Sequence, residues 1–477
     1  MLFNSFEFLW LFPIIFCVYY LVTCRKQLVD RFPKIGNYLL IAISYGLYIK
    51  WKPIYALILL GVTAVTYLAA LKIEKEQAYG KKKYLIFSGI ALAALPLLVF
   101  KYYNFLCGSL ESLLGEVGLS VGLPGLNWVM PLGISFFTFQ AIGYLADVYL
   151  QRIKAEHNWW DYMLFVCFFP QIASGPISKA KDLLPQIKSK RSFNYGQAVQ
   201  GLRWILWGMF LKVVLADRIG ISIDSFNGTL DTESGLMNLA VALLYSFQIY
   251  GDFAGYSFMA LGVGELLGFE LINNFQRPYL SQSITEFWHR WHISLSLWLK
   301  DYIYIPLGGS RCSKLRNYTN IFVTFLVSGL WHGANWTFVA WGGMHGLFQV
   351  VEKMLGLNKR YSTGILKTIR IIVTFLLVSF AWIFFRQPTF SGAWSQLVRI
   401  FTNHDMTIHF TTESIFFMVF ALGIVLLKDI IDEWHIKWID AFHSPYKAVR
   451  WTTYLFLLSS IMLMGVFDAS QFIYINF

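Results

Sequence analysis

IYALILLGVTAVTYLAAL, from Ile54 to Leu71, carries no charged side chain. A helix that crosses a bilayer needs about 20 mostly apolar residues. The run therefore predicts a membrane-spanning helix. Comparable charge-free runs recur at 84–100, 126–146, 235–250, 371–385, 414–427 and 451–467. Phe8 to Thr23 adds another, and it lacks the preceding basic residues and the small-residue cleavage site of a signal peptide. It is read as a retained helix.

Shorter apolar runs fall below spanning length: Ile35 to Ile49, Met163 to Ser178 and Trp204 to Leu211. One of them contains the helix-breaking pair Gly175-Pro176. Irregular backbone at membrane depth is stable only under a cover of protein or against a wet cavity. The expectation is all-α: a polytopic transmembrane bundle of about eleven crossings plus short or re-entrant helices. No internal repeat or linker interrupts it, so residues 1–477 read as a single membrane domain.

Composition agrees with this reading. Of the 477 residues 57% are hydrophobic and 14% charged, with a mean hydropathy of +0.53, outside the balance of a soluble domain. The formal charge of +12 fits cytoplasmic loops better than nucleic acid. Arg25, Lys26, Arg31 and Lys34 follow the first helix, Lys72, Lys75 and Lys81 to Lys83 the third, and another basic stretch runs from Lys179 to Arg191. The segment from Tyr102 to Asn127 has no Lys or Arg. These loops predict a multi-pass plasma (inner) membrane protein with an extracytoplasmic N-terminus. The five cysteines show no paired spacing, so no disulfide framework or CxxC metal site is expected.

Polar residues inside apolar segments are costly and point to function. They concentrate in RPYLSQSITEFWHRWHISLSLWLKDYIYIPLGGSR, Arg277 to Arg311, and in SGLWHGANWTFVAWGGMHG, Ser328 to Gly346. His289 and His292 are three apart and would share a face if the segment were helical. No HExxH or third ligand accompanies them, so no metal is expected. His332 interrupts an uncharged run and is followed by Gly333, Ala334 and Asn335, which leave space for a substrate. Its imidazole is either a proton acceptor for a hydroxyl or a packing residue bonded to a neighbouring helix. Asp252, in Tyr250-Gly-Asp-Phe-Ala-Gly-Tyr256, is placed to pair with an Arg or a histidine ring, or to serve packing. No GxSxG, P-loop or GxGxxG fingerprint in a strand-turn-helix setting is present.

In three ordered blocks the sequence resembles the membrane-bound O-acyltransferase family, in its bacterial branch that includes the alginate O-acetyltransferase membrane subunit. They are YGDFAGYS from Tyr250, RPYLSQSITEFWHRWHISLSLWLKDYIYIPLGG from Arg277 and GLWHGANWTFVAWGGMHG from Gly329. LFNSFEFLWLF near the start, PLGISFFTFQ at Pro131, FPQIASGPI at Phe169 and the closing FIYINF add weaker agreement, whereas residues 351–450 contribute little. The resemblance implies a bundle around a tunnel in which a cytosolic thioester meets an acceptor from outside. It assigns catalysis to His332 and His292, with His289, Arg290, Trp291, Trp331, Asn335, Asp252 and Asp301 as supporting or tunnel-lining residues. Phe258 stands where family members often have an acidic residue, which weakens any role for a second carboxylate there.

The implied activity is transfer of an acyl group, expected to be acetyl, from acetyl-CoA or another acyl thioester, with no permanently bound cofactor. The implied acceptor is an extracytoplasmic polysaccharide or cell-wall glycan, reached directly or through an extracytoplasmic acetyltransferase partner. D-alanyl transfer and lipid or protein O-acylation are the alternatives within the family. A proton-coupled transporter or flippase is the rival from another class, and the inverted repeats common in such carriers are not visible.

Overall fold

In lipid a chain must satisfy its backbone hydrogen bonds within its own segments, which for a sequence of long apolar runs means helices. The computed structural model describes residues 3–359, 361–436, 440–467 and 473, and among these every regular element is helical. Among the described residues five helices are long and apolar enough to cross a membrane: Phe6–Thr23, Pro53–Lys75, Tyr79–Glu116, Gly364–Arg386 and Thr412–Glu433. Their outward faces are apolar. Ile54, Leu57 and Leu68 are exposed on one such helix while Tyr55, Leu59, Val62 and Thr66 are buried. In water that exposure would cost about 25 cal/mol per Å²; against acyl chains it costs nothing.

The chain divides into two compact units. The first comprises Trp10–Ala198 and Gly264–Leu271. It is built on α1 (Phe6–Thr23), α2 (Ile35–Trp51), α3 (Pro53–Lys75), α4 (Tyr79–Leu97) and α5 (Ile134–Tyr149). Pro53 opens α3 at its first turn, where a missing N–H costs nothing. Gly89 of α4 faces Ala69 and Leu145 so closely that a Cβ would meet Leu145 at 2.8 Å. The run at 126–146 is only partly helical: Gly133, at φ +68°, turns the chain, and α5 begins at Ile134. The segment around Gly175-Pro176 is irregular, as its composition predicts. Buried side chains hold it nearby, with Gln140 donating to the Phe165 carbonyl and Gln171 to the Ser178 hydroxyl.

The second unit comprises Leu2–Leu9, Val199–Val263 and Ile272–Phe477. Its elements are α6 (Tyr195–Met209), α7 (Gly235–Leu266), the short α8 (Ile284–Arg290) and α9 (Ile293–Leu299), α10 (Lys314–His332), α11 (Trp336–Met354), α12 (Gly364–Arg386), α13 (Thr412–Glu433) and α14 (Lys447–Met464). The short run at Trp204 is part of a longer rod: α6 continues through a π-helical turn, Phe210–Ala216, into a helix at Asp217–Asp224. Charged residues had truncated that run in the sequence. Here they neutralise one another, since Lys212 Nζ lies 2.6 Å from Asp217 and 2.7 Å from Asp252, all buried. The pairing corrects the sequence expectation for Asp252, whose partner is a lysine rather than an arginine or a histidine. It also explains why α7 runs on beyond Tyr250. α6 and α7 touch backbone to backbone: a Cβ on Gly208 would lie 2.5 Å from the Gly255 carbonyl oxygen, the close approach that small residues permit.

Candidate active site

α10 and α11 form an antiparallel pair joined by Gly333, Ala334 and Asn335. Asn335 caps α11, its side-chain oxygen accepting from the Thr337 N–H at 3.1 Å, and its amide donates to the Pro388 carbonyl at 2.8 Å. Gly333 has no room for a side chain, because a Cβ would fall 2.1 Å from the Phe338 ring. The pair is tight: a Cβ on Gly329 would meet the Phe338 carbonyl oxygen at 2.2 Å. His332 is the last residue of α10 and is buried.

The segment Phe287 to Ile293 is not one helix. α8 starts at Ser283, whose hydroxyl accepts from the Glu286 N–H at 3.0 Å, and ends at Arg290. His292 takes the left-handed conformation, φ +43° and ψ +53°, and α9 starts after it. A neighbouring strand of loop fixes the break. Ile293 N–H donates to the Asn274 carbonyl at 3.1 Å, Ser294 N–H to Asn274 Oδ1 at 2.9 Å, and Gln276 N–H to the Arg290 carbonyl at 2.9 Å. The shared helix face expected for His289 and His292 is therefore absent. His292 is fully buried, whereas His289 opens to solvent.

The break carries His292 to His332. Their ring centroids are 6.2 Å apart, with planes at 62°. Phe253 of α7 packs edge-on against His292 at 4.6 Å. Trp331, Trp341 and Phe385 surround His332 at 4.9, 5.0 and 5.4 Å. Both imidazoles are thus buried neighbours in one aromatic cluster, where exclusion of bulk water strengthens any hydrogen bond they make.

Other residues predicted for the site have structural partners. Trp331 is within reach of both histidines, at 5.7 Å from His292. Trp291 is buried between Phe275, Phe287 and Trp382. Arg290 bridges Glu286 at 2.6 Å and Glu433 at 2.8 Å, tying α8 to α13. Asp252 sits beside Phe253 and receives the Ile473 N–H at 2.9 Å as well as Lys212. Asp301 lies on the π-helical turn Lys300–Tyr304 beyond α9.

Two groups were missed from sequence. His345 is fully buried and accepts from Trp288 Nε1–H at 3.2 Å. Trp341 lies 5.0 Å from both His345 and His332, so an unbroken aromatic row joins Trp288 to His332. A histidine followed by glycine in GGMHG, Gly342 to Gly346, was the available signal, similar in kind to that of His332 before Gly333. Lys212 was the second, and a lysine inside an apolar run is the sign that marks it.

The sequence profile of the membrane-bound O-acyltransferase family matches residues 149–386. Probable alginate O-acetylase AlgI of Pseudomonas aeruginosa is 38% identical over 405 residues, 84% of this chain and 75% of that protein. The chain belongs to the membrane-bound O-acyltransferase family. Peptidoglycan O-acetyltransferase of Helicobacter pylori is 34% identical over 421 residues, covering 82% and 78% of the two chains. Teichoic acid D-alanyltransferase of Streptococcus thermophilus matches less of the chain, at 32% identity over 46% of this chain and 56% of that one. As a member of this family of membrane proteins the chain is an O-acyltransferase.

Proposed function

We propose that this membrane O-acyltransferase transfers an acetyl group from a cytosolic thioester such as acetyl-CoA to an extracytoplasmic polysaccharide or cell-wall glycan, directly or through an extracytoplasmic partner protein. The observation that carries the reading is the 6.2 Å juxtaposition of His292 and His332 inside an aromatic enclosure. His332 takes the proton of the acceptor hydroxyl as its oxygen attacks the thioester carbonyl. His292 hydrogen-bonds the carbonyl oxygen as negative charge develops. The carbon–sulfur bond then breaks, and the thiolate leaves with the proton that His332 returns. No change of oxidation state is involved.

Charge within the second unit supports donor access from the cytoplasm. Lys353 reaches Asn317, and Arg370 reaches Leu357 and the Gln282 carbonyl, so the start of α10, the end of α11 and the start of α12 share one end. Arg311, Lys314, Arg316, Lys359 and Lys367 crowd that end. At the opposite end Arg386 meets Asp224, Ser395 meets Asp231 and Leu236 meets Asp405, and there carboxylates prevail. A basic end faces the cytoplasm by the usual loop asymmetry. The greater coverage of the acetyl-transferring relatives favours acetyl over D-alanyl.

The test is reconstitution of the purified protein with labelled acetyl-CoA and a glycan acceptor, following CoA release and label transfer in wild type, His332→Ala and His292→Ala. Transfer by wild type and a loss of about 10³-fold or more in His332→Ala is expected. Transfer at a near wild-type rate without His332 overturns the mechanism.

A further inference from the structure

After α12 ends at Arg386, the chain turns through Gln387, Pro388 and Thr389 into a further helix of the second unit, Phe390–Thr402, with the sequence FSGAWSQLVRIFT. The Thr389 hydroxyl caps it, accepting from the Gly392 N–H at 3.1 Å. Its polar side chains point into the protein. The Ser395 hydroxyl donates to Asp231 at 2.8 Å, the buried Gln396 amide to the Asn238 carbonyl at 3.3 Å, and Arg399 to the Glu233 carbonyl at 3.0 Å. The outward face is apolar instead: Phe390, Trp394, Val398 and Phe401 are all exposed. They stand at i, i+4, i+8 and i+11, which makes one stripe on an α-helix. A helix on a water-facing surface carries the reverse pattern.

Direction and depth identify the surroundings. The helix has 13 residues, about 20 Å at 1.5 Å per residue, too short for a hydrocarbon core of about 30 Å. Phe390 and Phe401 are about three turns apart, roughly 16 Å along the axis. They touch Phe384 and Phe380 of α12, which are only about one turn apart, at ring distances of 5.5 and 5.8 Å. The helix therefore runs across α12 and not along it. Phe380 and Phe384 belong to the last two turns of α12, a membrane-crossing helix that ends at Arg386, so the contact lies about 3 to 9 Å below that end. In-plane amphipathic helices bury their apolar faces about 5 to 10 Å into the boundary of headgroups and acyl chains. The apolar surface also continues at this end. Thr407 accepts from Ser234, next to the Glu233 that Arg399 reaches, and α13 then begins with Ile415, Phe416 and Val419 exposed. An uncharged stripe containing Trp suits that boundary, whereas a protein-docking face would bring a polar rim.

We propose that the helix Phe390–Thr402 lies in the plane of the membrane and that its stripe binds the glycerol and upper acyl region of phospholipids in the extracytoplasmic leaflet. The Asn335 amide holds the Pro388 carbonyl at 2.8 Å, so the turn that follows His332 is fastened to the base of this lipid-seated helix. The choice of leaflet rests on the orientation argued above. Lipid contact is read whichever way the chain is inserted and whether or not transfer is observed.

The purified protein is placed in phosphatidylethanolamine–phosphatidylglycerol nanodiscs that carry a phosphatidylcholine with a photoreactive diazirine, either next to the glycerol or at the chain end, and adducts are mapped by peptide mass spectrometry. The shallow probe is expected to label Trp394 and Phe401 about 5-fold or more above the deep probe. Val373, exposed near the middle of α12, is expected to show the opposite preference. Trp394→Glu/Val398→Glu is expected to lose about 10-fold of the labelling over residues 390–402, with Val373 labelled as in wild type. An unlabelled stripe beside a labelled Val373 overturns the proposal and leaves the face to a second copy or an exported protein. So does equal labelling of the stripe by both probes, or labelling that the two glutamates leave unchanged.

Discussion

The imidazole of His292, held in a left-handed backbone conformation, faces that of His332 at the end of α10 across 6.2 Å. In the proposed mechanism the two residues are unequal in chemistry. A proton acceptor for the attacking hydroxyl has no substitute in the aromatic surroundings, whereas a hydrogen bond to a carbonyl can be partly replaced. His332→Ala is expected to lower transfer by about 10³-fold or more and His292→Ala by about 10²-fold. Label transfer per mole of folded enzyme measures both. Equal losses would show that the pair acts as one unit.

The backbone at His292 gives a second prediction. Asn tolerates a positive φ better than most residues, so His292→Asn should fold like wild type and keep a hydrogen-bonding side chain. Its activity should exceed that of His292→Ala. Thermal unfolding in detergent together with the transfer assay checks it, and an Asn variant no better than Ala would mean the amide cannot reach the carbonyl.

Lys212 compensates two buried carboxylates at once. Its replacement by methionine keeps the volume and strands Asp217 and Asp252, at a cost of about 3 to 5 kcal/mol. The unfolding temperature of Lys212→Met should fall well below that of wild type. An unchanged value would mean that the two aspartates are neutral without the lysine.

Glycines should divide by their surroundings. Gly255→Ala puts a Cβ 2.7 Å from the Gly208 carbonyl oxygen, whereas at Gly61 nothing lies within 4 Å. Forcing α6 from α7 should cost about 1 to 3 kcal/mol, while Gly61→Ala should stabilise α3 by about 0.5 to 1 kcal/mol. Melting curves of the two variants should shift in opposite directions.

The membrane helices were readable because lipid imposes one demand on every residue of a span. Reading failed where partners distant in sequence meet that demand. Lys212 and Asp252 ended apolar runs on paper and sit inside helices in the fold, since each neutralises the other. At the site, GLWHGAN was legible because small residues flank its histidine. Nothing in Phe-Trp-His-Arg-Trp-His announces a helix break: it has no Gly or Pro, and Asn274, eighteen residues before His292, imposes the turn. His345 went unassigned because GGMHG reads equally as helix packing, and only the Trp288 hydrogen bond sets it apart.

Asn274 touches neither imidazole through any bond described, yet both its carbonyl and its side-chain oxygen hold the turn that aims His292. A laboratory that maps this enzyme by random mutation would find loss of activity in the loop of Asn273 to Gln276, far from any histidine in the sequence. Those lesions would resemble catalytic ones in rate and differ from them in remedy: tightening the loop, with no change at the chemical groups, should bring activity back.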